Sequence, residues 1–325
     1  MAEAQAITLR STGGPEALEF GPLELPELKG GQARIRVEAA GLNFIDIYHR
    51  TGLYPVPLPF VPGVEAVGTV EAVGPGVESV SVGDRVGYVG AGGYATHLNA
   101  PADRLVPLPD SVDFDIAAAI LLKGMTAWML LFEVRRAMPG ETALIWAPVG
   151  GVGSLLVPWA RSLGVDVLAV TSTEEKAETA RALGANEVAF RDKDVAAAAR
   201  AFMGGAGVDV AYDSVGKSSQ EASLNSLKPR GWWISYGNAS GPAAAVDPGR
   251  LGQLGSLIMT RPALFSYIDT RDALQRGASA VFGALVAGTL APRIEATFPL
   301  SEAAEAQSLL ESGRTQGALL LKPNA

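Results

Sequence analysis

The segment Leu144–Gly153 runs from a short apolar stretch into a glycine-rich turn, and an apolar helical pattern follows it. A strand that enters a helix through closely spaced glycines is the arrangement of dinucleotide-binding units. Gly150 allows the backbone to approach a pyrophosphate, and Gly153 allows the helix to pack close to the strand. The helix N-terminus adds unpaired N–H donors and partial positive charge. The segment therefore predicts a dinucleotide site, in which Gly151 and Val152 complete the turn.

Two prolines modify this site. Pro148 stands where the usual G-x-G-x-x-G pattern has its first glycine, and proline has no N–H to donate. Pro158 falls inside the following helix, where a proline costs roughly 3 kcal/mol or more unless the helix bends. We expect a bent helix and a cofactor affinity below that of the usual turn.

The composition is that of a well-packed globular protein. The chain has 325 residues, of which 48% are hydrophobic and 18% are charged, so it is long enough for two domains with separate cores. Its net charge is −8 and it has no basic run, which argues against nucleic acid as a partner. With no cysteine, neither disulfides nor thiolate metal sites are possible.

Nothing in the sequence predicts a secretory signal or a membrane anchor. The N-terminus lacks a basic region followed by an apolar core. The longest apolar stretch, Ile116–Val134, contains Lys123 and is interpreted as a buried helix. A cytoplasmic protein without a membrane partner is expected.

The chain changes in character near residue 115. Short alternating stretches before it, bounded by Gly and Pro, predict a compact β-barrel or sandwich. After it, buried strands alternate with helical patterns, which predicts a parallel sheet covered on both faces. The six predicted strands are Thr142–Ala147, Asp166–Val170, Glu187–Phe190, Val208–Asp213, Trp232–Tyr236 and Ser256–Thr260. A helix (Thr270–Ala287), a strand (Ile294–Phe298), a helix (Ser301–Ser312) and a strand (Gly317–Leu321) are predicted to follow.

The second predicted strand of the sheet indicates which dinucleotide is bound. NAD sites place an acidic residue about 20 residues past the glycine turn, where it accepts from the ribose 2′-OH. Here the strand continues into Ser172 and Thr173, Lys176 follows near the start of the next helix, and Arg191 ends the next strand. Hydroxyl groups and cations suit a 2′-phosphate, which a carboxylate would repel. The sequence therefore favours NADPH.

A family resemblance covers nearly the whole chain. The segments that carry it, in order, are Gly41–Tyr54, Pro62–Glu65, Val82–Arg85, Leu122–Thr126, Gly150–Gly153, Tyr212–Gly216, Tyr236–Gly241 and Thr260–Pro262. In these segments the chain resembles the zinc-free, ζ-crystallin-like quinone oxidoreductases of the medium-chain dehydrogenase/reductase superfamily. The resemblance implies an α/β protein in which a GroES-like β-barrel catalytic domain, residues 1–120 and 265–325, receives an inserted Rossmann domain, residues 121–264, with a doubly wound parallel sheet. It also implies a homodimer.

The resemblance also implies site residues. Those predicted to act on the acceptor are Asn43, Tyr48, Tyr54, Lys123 and Arg261. Those predicted to bind the cofactor are Asn43, Lys123, Thr126, Gly150, Gly151, Val152, Gly153, Ser172, Thr173, Lys176, Arg191, Ser214, Gly216, Tyr236, Gly237, Asn238 and Thr315. Asn43, Tyr48 and Tyr54 carry amide and phenol donors that could hold a carbonyl oxygen. Lys123 lies in an apolar helix, where an unpaired ammonium is costly, so a contact to the cofactor is expected.

No metal is expected. The positions that match the zinc ligands of metal-dependent relatives are Asn43, Val64 and Leu122, none of which supplies a thiolate or an imidazole. The only two histidines, His49 and His97, make a poor zinc set. Asp213 and Glu65 are the two acids that could act as general bases, and neither is assigned a catalytic proton.

These observations predict NADPH-dependent reduction of a quinone without a metal. The same fold and cofactor would serve the reduction of a conjugated enone, an enoyl thioester or an acrylate, because the shape of the pocket decides the acceptor. A third possibility from another class is an NADPH-binding protein with a structural, crystallin-like or RNA-binding role. The acidic charge balance disfavours RNA, and Tyr48, Lys123 and Arg261 favour a retained active site.

Overall fold

A computed structural model of the chain describes residues 4–323. Its strands are β1 (Ala4–Leu9), β2 (Leu18–Leu23), β3 (Gln32–Gly41), β4 (Glu65–Val73), β5 (Arg85–Val89), β6 (His97–Pro101), β7 (Leu105–Pro107), β8 (Thr142–Trp146), β9 (Asp166–Thr171), β10 (Glu187–Phe190), β11 (Val208–Asp213), β12 (Leu227–Ser235), β13 (Ile258–Thr260), β14 (Ile294–Pro299) and β15 (Ala318–Lys322). Its α-helices are α1 (Phe44–Thr51), α2 (Phe114–Trp128), α3 (Gly153–Ser162), α4 (Glu174–Ala182), α5 (Val195–Phe202), α6 (Gln220–Asn225), α7 (Pro248–Gln253), α8 (Arg271–Val286) and α9 (Ala303–Glu311). A π-helical turn, Met129–Val134, continues α2, and 3₁₀ turns occur at Pro15–Ala17, Ala102–Arg104, Leu264–Ser266 and Leu300–Glu302.

The chain divides into two compact units. The first contains the segment up to Lys123, then Thr270–Phe282, then the segment from Pro292 onward. The second contains Gly124–Asp269 and Gly283–Ala291. The predicted domain boundaries near residues 120 and 264 lie close to the divisions after Lys123 and Asp269. The assignment of these units as domains remains a prediction.

The second unit contains a six-stranded sheet in the order β10-β9-β8-β11-β12-β13. Every neighbouring pair is parallel. The central strands are almost continuously apolar because helices cover both faces of such a sheet. All six predicted strands are confirmed. β12 begins at Leu227, five residues before the predicted start. The prediction began late because Pro229 and the left-handed Arg230 (φ 64°) interrupt the sequence pattern of the strand.

The corner between β8 and α3 contains a residue in a strained conformation. Ala147 has a φ of 50°, in the left-handed region that disfavours a Cβ. A Cβ on Gly153 would lie 2.1 Å from the Ala147 carbonyl oxygen, so glycine is required there. Pro158 lies inside α3, which continues through it from Gly153 to Ser162.

The first unit is built around a seven-stranded sheet. Its main order is β14-β15-β3-β4-β5-β7, and β6 pairs with β3. β14 and β15 are parallel, and the remaining pairs are antiparallel. Alternating buried positions of β3, such as Ala33, Ile35 and Val37, form part of the core under this sheet. α1 follows β3 directly, and β4 begins at Glu65.

The apolar stretch that contains Lys123 is helical. Phe114–Val134 is long and apolar enough to cross a membrane by length and composition, but 78% of its most apolar window lies buried inside the protein. This agrees with the predicted interior helix.

Candidate active site

Glu65, the first residue of β4, is the centre of a buried polar cluster in the first unit. Its side chain is 0% exposed and accepts hydrogen bonds from Asn43 Nδ2 at 2.8 Å and from the Leu122 backbone N–H at 2.9 Å. It also forms an ion pair with Lys123, whose Nζ lies 2.9 Å from Glu65 Oε1. Lys123 is itself 5% exposed. The cluster therefore holds Asn43 and Lys123, both predicted site residues, on a single carboxylate.

The geometry corrects the predicted role of Asn43 as an amide donor. Its Nδ2 donates to the Gly41 carbonyl oxygen at 3.2 Å as well as to Glu65. Both partners are acceptors, which fixes the orientation of the amide, and both amide hydrogens are used. The amide nitrogen of Asn43 is therefore occupied, and its side chain also caps the start of α1 in a capping box with Asp46. Sequence reasoning missed this because the partner carboxylate lies 22 positions further along the chain.

A second buried acid holds the start of α1. Asp46 is 0% exposed and accepts from the Asn43 backbone N–H at 2.9 Å, from the Val64 backbone N–H at 3.1 Å and from the Tyr94 hydroxyl at 2.9 Å. Burial, partly offset by these hydrogen bonds, raises the pKa of Asp46 to about 7. Burial and the neighbouring Asp46 raise the pKa of Tyr94. Asp46 and Tyr94 were not among the predicted site residues.

Aromatic rings lie on the side of α1 that carries Phe44 and Tyr48. The ring centroids of Tyr48 and Tyr54 lie 5.1 Å apart in an edge-to-face arrangement, and those of Phe44 and Tyr48 lie 6.2 Å apart. The Tyr54 backbone N–H also donates to the Tyr48 carbonyl oxygen at 3.0 Å. The structure thus brings the two predicted tyrosines together as an aromatic pair, which suits a planar ligand.

The glycine-rich turn of the second unit is closed by backbone hydrogen bonds. The Gly150 backbone N–H donates to the Ala147 carbonyl oxygen at 3.1 Å, and Ser154 N–H donates to Gly150 O at 2.9 Å. The next two N–H groups of α3, those of Leu155 and Leu156, donate to the Val152 carbonyl oxygen at 3.1 and 2.9 Å. A Cβ on Gly153 would clash with the Ala147 carbonyl oxygen, so the helix lies close against β8, and pyrophosphate binding at this turn remains a prediction.

Two cations lie near each other beyond β9 and β10. Burial, together with the like charge of Arg191, lowers the pKa of Lys176. Thr173 begins α4 and accepts from the Lys176 backbone N–H at 3.3 Å. Neighbouring cations repel each other, so a bound dianion between them would be stabilised. The arrangement fits the 2′-phosphate of NADPH.

The loops after β11 and β12 cross at close range. A Cβ on Gly237 would lie 2.2 Å from the Ser214 carbonyl oxygen, and a Cβ on Gly216 would lie 2.5 Å from the Gly241 carbonyl oxygen. Asp213 orders this crossing, because its buried carboxylate accepts from five donors. They are Val215 N–H (2.9 Å), Gly216 N–H (3.1 Å), Ser219 Oγ (2.6 Å), Ser223 Oγ (2.7 Å) and Trp233 Nε1 (3.1 Å). These five hydrogen bonds make Asp213 a structural group that holds the two loops together.

The predicted site residues fall into two sets. The first unit contains Asn43, Tyr48, Tyr54, Lys123 and Thr315. The second unit contains Thr126, Gly150, Gly151, Val152, Gly153, Ser172, Thr173, Lys176, Arg191, Ser214, Gly216, Tyr236, Gly237, Asn238 and Arg261. Within the first unit, Asn43 joins Lys123 through Glu65, and Tyr48 contacts Tyr54. Within the second, Arg261 Nη1 donates to the Ser235 carbonyl oxygen at 3.0 Å. Their roles remain predictions.

Within residues 4–323, no three or more acidic or histidine side chains are grouped so that they could hold a metal ion. Two of the positions that match zinc ligands, Val64 and Leu122, form backbone hydrogen bonds to buried acids. The backbone N–H of Leu122 donates to Glu65, and that of Val64 donates to Asp46. The positive charge beside Glu65 comes from Lys123.

Two family models match the chain. One, described as alcohol dehydrogenase GroES-like domain, covers residues 29–110, and the other, described as zinc-binding dehydrogenase, covers residues 151–279. The second range contains neither histidine nor cysteine, since the two histidines are His49 and His97.

Characterised proteins match over their full length. The chain is 44% identical to a quinone oxidoreductase of Pseudomonas aeruginosa, over 98% of this chain and 100% of the relative. It is 42% identical to a 2-haloacrylate reductase of a Burkholderia species, over 98% of this chain and 99% of the relative. The solved structure of Escherichia coli quinone oxidoreductase complexed with NADPH matches with a TM-score of 0.95 and 38% identity, over 98% of this chain and 100% of that chain. The predicted fold class, a GroES-like domain with a Rossmann domain, is confirmed.

Proposed function

The chain belongs to the quinone oxidoreductase family of the medium-chain dehydrogenases/reductases, and on this basis we propose that it reduces quinones with NADPH and without a metal. The observation that carries the choice of NADPH is the proximity of Lys176 to Arg191, in a sequence with no ribose-binding acid at the end of β9. When bound, NADPH supplies the hydride, and the protein orients it and selects the acceptor.

Residues of the second unit hold the cofactor. The turn Gly150–Gly153 and the start of α3 bind the pyrophosphate, while Lys176 and Arg191 bind the 2′-phosphate. Residues of the first unit serve the acceptor. The Tyr48 hydroxyl donates to the acceptor oxygen, and the Tyr48–Tyr54 pair contacts the ring of the acceptor.

Steady-state oxidation of NADPH against a panel of quinones and enones tests the proposal. We expect turnover with at least one quinone, and a higher kcat/KM with NADPH than with NADH. Binding of NADPH without oxidation in the presence of any acceptor would instead support a non-catalytic, crystallin-like role.

A second candidate function is reduction of a 2-haloacrylate or another activated alkene. The 42% identity to a 2-haloacrylate reductase over nearly both full chains favours keeping it. Adding 2-chloroacrylate to the panel separates the two, since the candidate with the higher kcat/KM is the better substrate class.

The purified protein is expected to contain no stoichiometric zinc and to keep its activity after treatment with a chelator. The reason is the ligand chemistry of Asn43, Val64 and Leu122 in a chain without cysteine. Elemental analysis and assays with EDTA make the measurement. About one zinc per chain, or a loss of activity that added zinc restores, would contradict it.

Tyr48→Phe is expected to lower quinone turnover by less than about tenfold, because a single neutral hydrogen bond contributes about 1 kcal/mol. Water can protonate the product after hydride transfer, so no general acid is needed. The pH profile should stay flat through the range in which tyrosine ionises. A loss of about a thousandfold, with an ionisation that disappears in the variant, would make Tyr48 a general acid.

We propose a cytoplasmic homodimer formed through β13. This strand is at the edge of the six-stranded sheet, and Ile258 and Met259 are each 38% exposed on it. An exposed apolar edge strand pairs readily with its own copy about a two-fold axis. Met259→Lys should shift the protein to monomer in sedimentation velocity, whereas Val286→Lys, at the most exposed valine in the second unit, should not. A parent protein that sediments as a monomer would refute the proposal.

A further inference from the structure

Helix α1 has a polar buried face. Asp46 and Arg50 are four residues apart, so they lie on one side of the helix, and they are 0% and 1% exposed. Tyr48 lies two residues from each, roughly 200° around the helix from Asp46. It contacts Tyr54 on that opposite side. The rotation of α1 about its axis therefore decides where the Tyr48 ring and hydroxyl point.

Arg50 is held by one carboxylate from a distant part of the sequence. Its Nη2 lies 2.7 Å from Oε1 of Glu311, the last residue of α9. Among residues 4–323, Arg50 Nε and Nη1 have no hydrogen-bond partner. A buried guanidinium is costly without its partner, so this single contact fixes the C-terminal end of α1.

The other anchor of α1 also reaches α9. Gln307, one turn before Glu311, is 0% exposed, and neither of its amide atoms has a partner at hydrogen-bonding distance among the described residues. It nevertheless lies close enough to the Tyr94 hydroxyl to lower its pKa, and that hydroxyl donates to Asp46. α9 therefore contacts Arg50 directly and reaches Asp46 through Tyr94.

We propose that α9 sets the orientation of α1 and that Arg50 and Glu311 are positioning residues for Tyr48, which rests on the proposed function of Tyr48 in binding the acceptor. Charge-assisted hydrogen bonds are directional, so they permit one rotation of the helix. Apolar packing alone tolerates several rotations with similar burial. With Asp46 and Arg50 on its buried face, α1 gives up some packing stability but is held in one rotation, which fixes the position of Tyr48.

The test compares Glu311→Gln with Glu305→Gln, a control at an exposed position of the same helix. Glu311→Gln should raise KM for the quinone by about tenfold or more, while the Kd for NADPH stays within about twofold, because the cofactor site is unchanged. Glu305→Gln should change neither. Hydrogen–deuterium exchange should become faster at residues 44–51 in Glu311→Gln alone.

A double variant separates positioning from stability. Arg50→Met with Glu311→Leu replaces the ion pair by apolar groups and should recover the Tm of the parent. It should keep the raised KM, because the directional contact is gone. If KM returns to the parent value together with Tm, or if Glu311→Gln alters neither KM nor exchange, the proposal is wrong. A parent protein that reduces no acceptor would refute the proposed function, while the exchange measurement would still decide whether α9 holds α1.

Discussion

Glu65→Gln is expected to destabilise the protein by about 3–5 kcal/mol, because it leaves the buried ammonium of Lys123 without its counter-charge. The new amide would also place N–H groups among three donors: Asn43 Nδ2, Leu122 N–H and Lys123 Nζ. The loss should therefore exceed that of an ordinary hydrogen bond several-fold. Unfolding in denaturant, followed by circular dichroism, gives the free energy.

Two further variants make this result specific. Glu71→Gln changes an exposed acid on the same strand, and it should cost little, as surface charges usually do. Adding Lys123→Met to Glu65→Gln removes the stranded charge and should recover part of the lost stability. If Glu65→Gln and Glu71→Gln lowered the free energy of unfolding equally, the buried ion pair would contribute no more to stability than a surface charge.

Lys176→Ala and Arg191→Ala should each weaken NADPH binding by about 10- to 150-fold, since a hydrogen bond to a charged group contributes about 1.5–3 kcal/mol. NADH binding should be almost unchanged, because NADH has no 2′-phosphate. Burial and the charge of Arg191 lower the pKa of Lys176, so a phosphate placed between the two cations relieves their repulsion. Fluorescence titration with both nucleotides measures the two affinities.

Lys193→Ala is the matched control, since it removes an exposed cation two residues from Arg191. It should leave both affinities within about twofold of the parent, as a solvated charge contributes little. Equal losses of NADH and NADPH in Lys176→Ala and Arg191→Ala would mean that these residues do not recognise the 2′-phosphate.

The sheet of the second unit was predictable because its strands are short apolar runs between helical patterns, which leaves few alternatives. The error at the start of β12 has a local cause. A proline and a left-handed arginine conceal the strand until Gly231, although Leu227 already pairs with Val208. Ala147 was not predicted to be left-handed either, since alanine gives no signal for that conformation.

The sequence indicated a site residue where burying that residue alone would be energetically unfavourable. Lys123 was predicted as a site residue because a buried ammonium needs a partner. Its partner, Glu65, lies 58 positions away, and no local sequence pattern links the two. Likewise Asp46 meets Tyr94 across 48 positions and Arg50 meets Glu311 across 261. Contacts of this range arise from the topology of the sheet, so their residues could be suspected singly but not paired.

The strand order of the first unit has a consequence for how the protein emerges during synthesis. β15 lies inside the seven-stranded sheet, between β14 and β3, so the sheet is incomplete until Lys322 has been made. The six strands of the second unit all lie between Thr142 and Thr260 and can pair well before that point. The second unit can therefore fold while the C-terminal end of β3, at Ala40 and Gly41, still lacks its partner. Until β15 has been made, this short open edge is exposed to pairing with other chains.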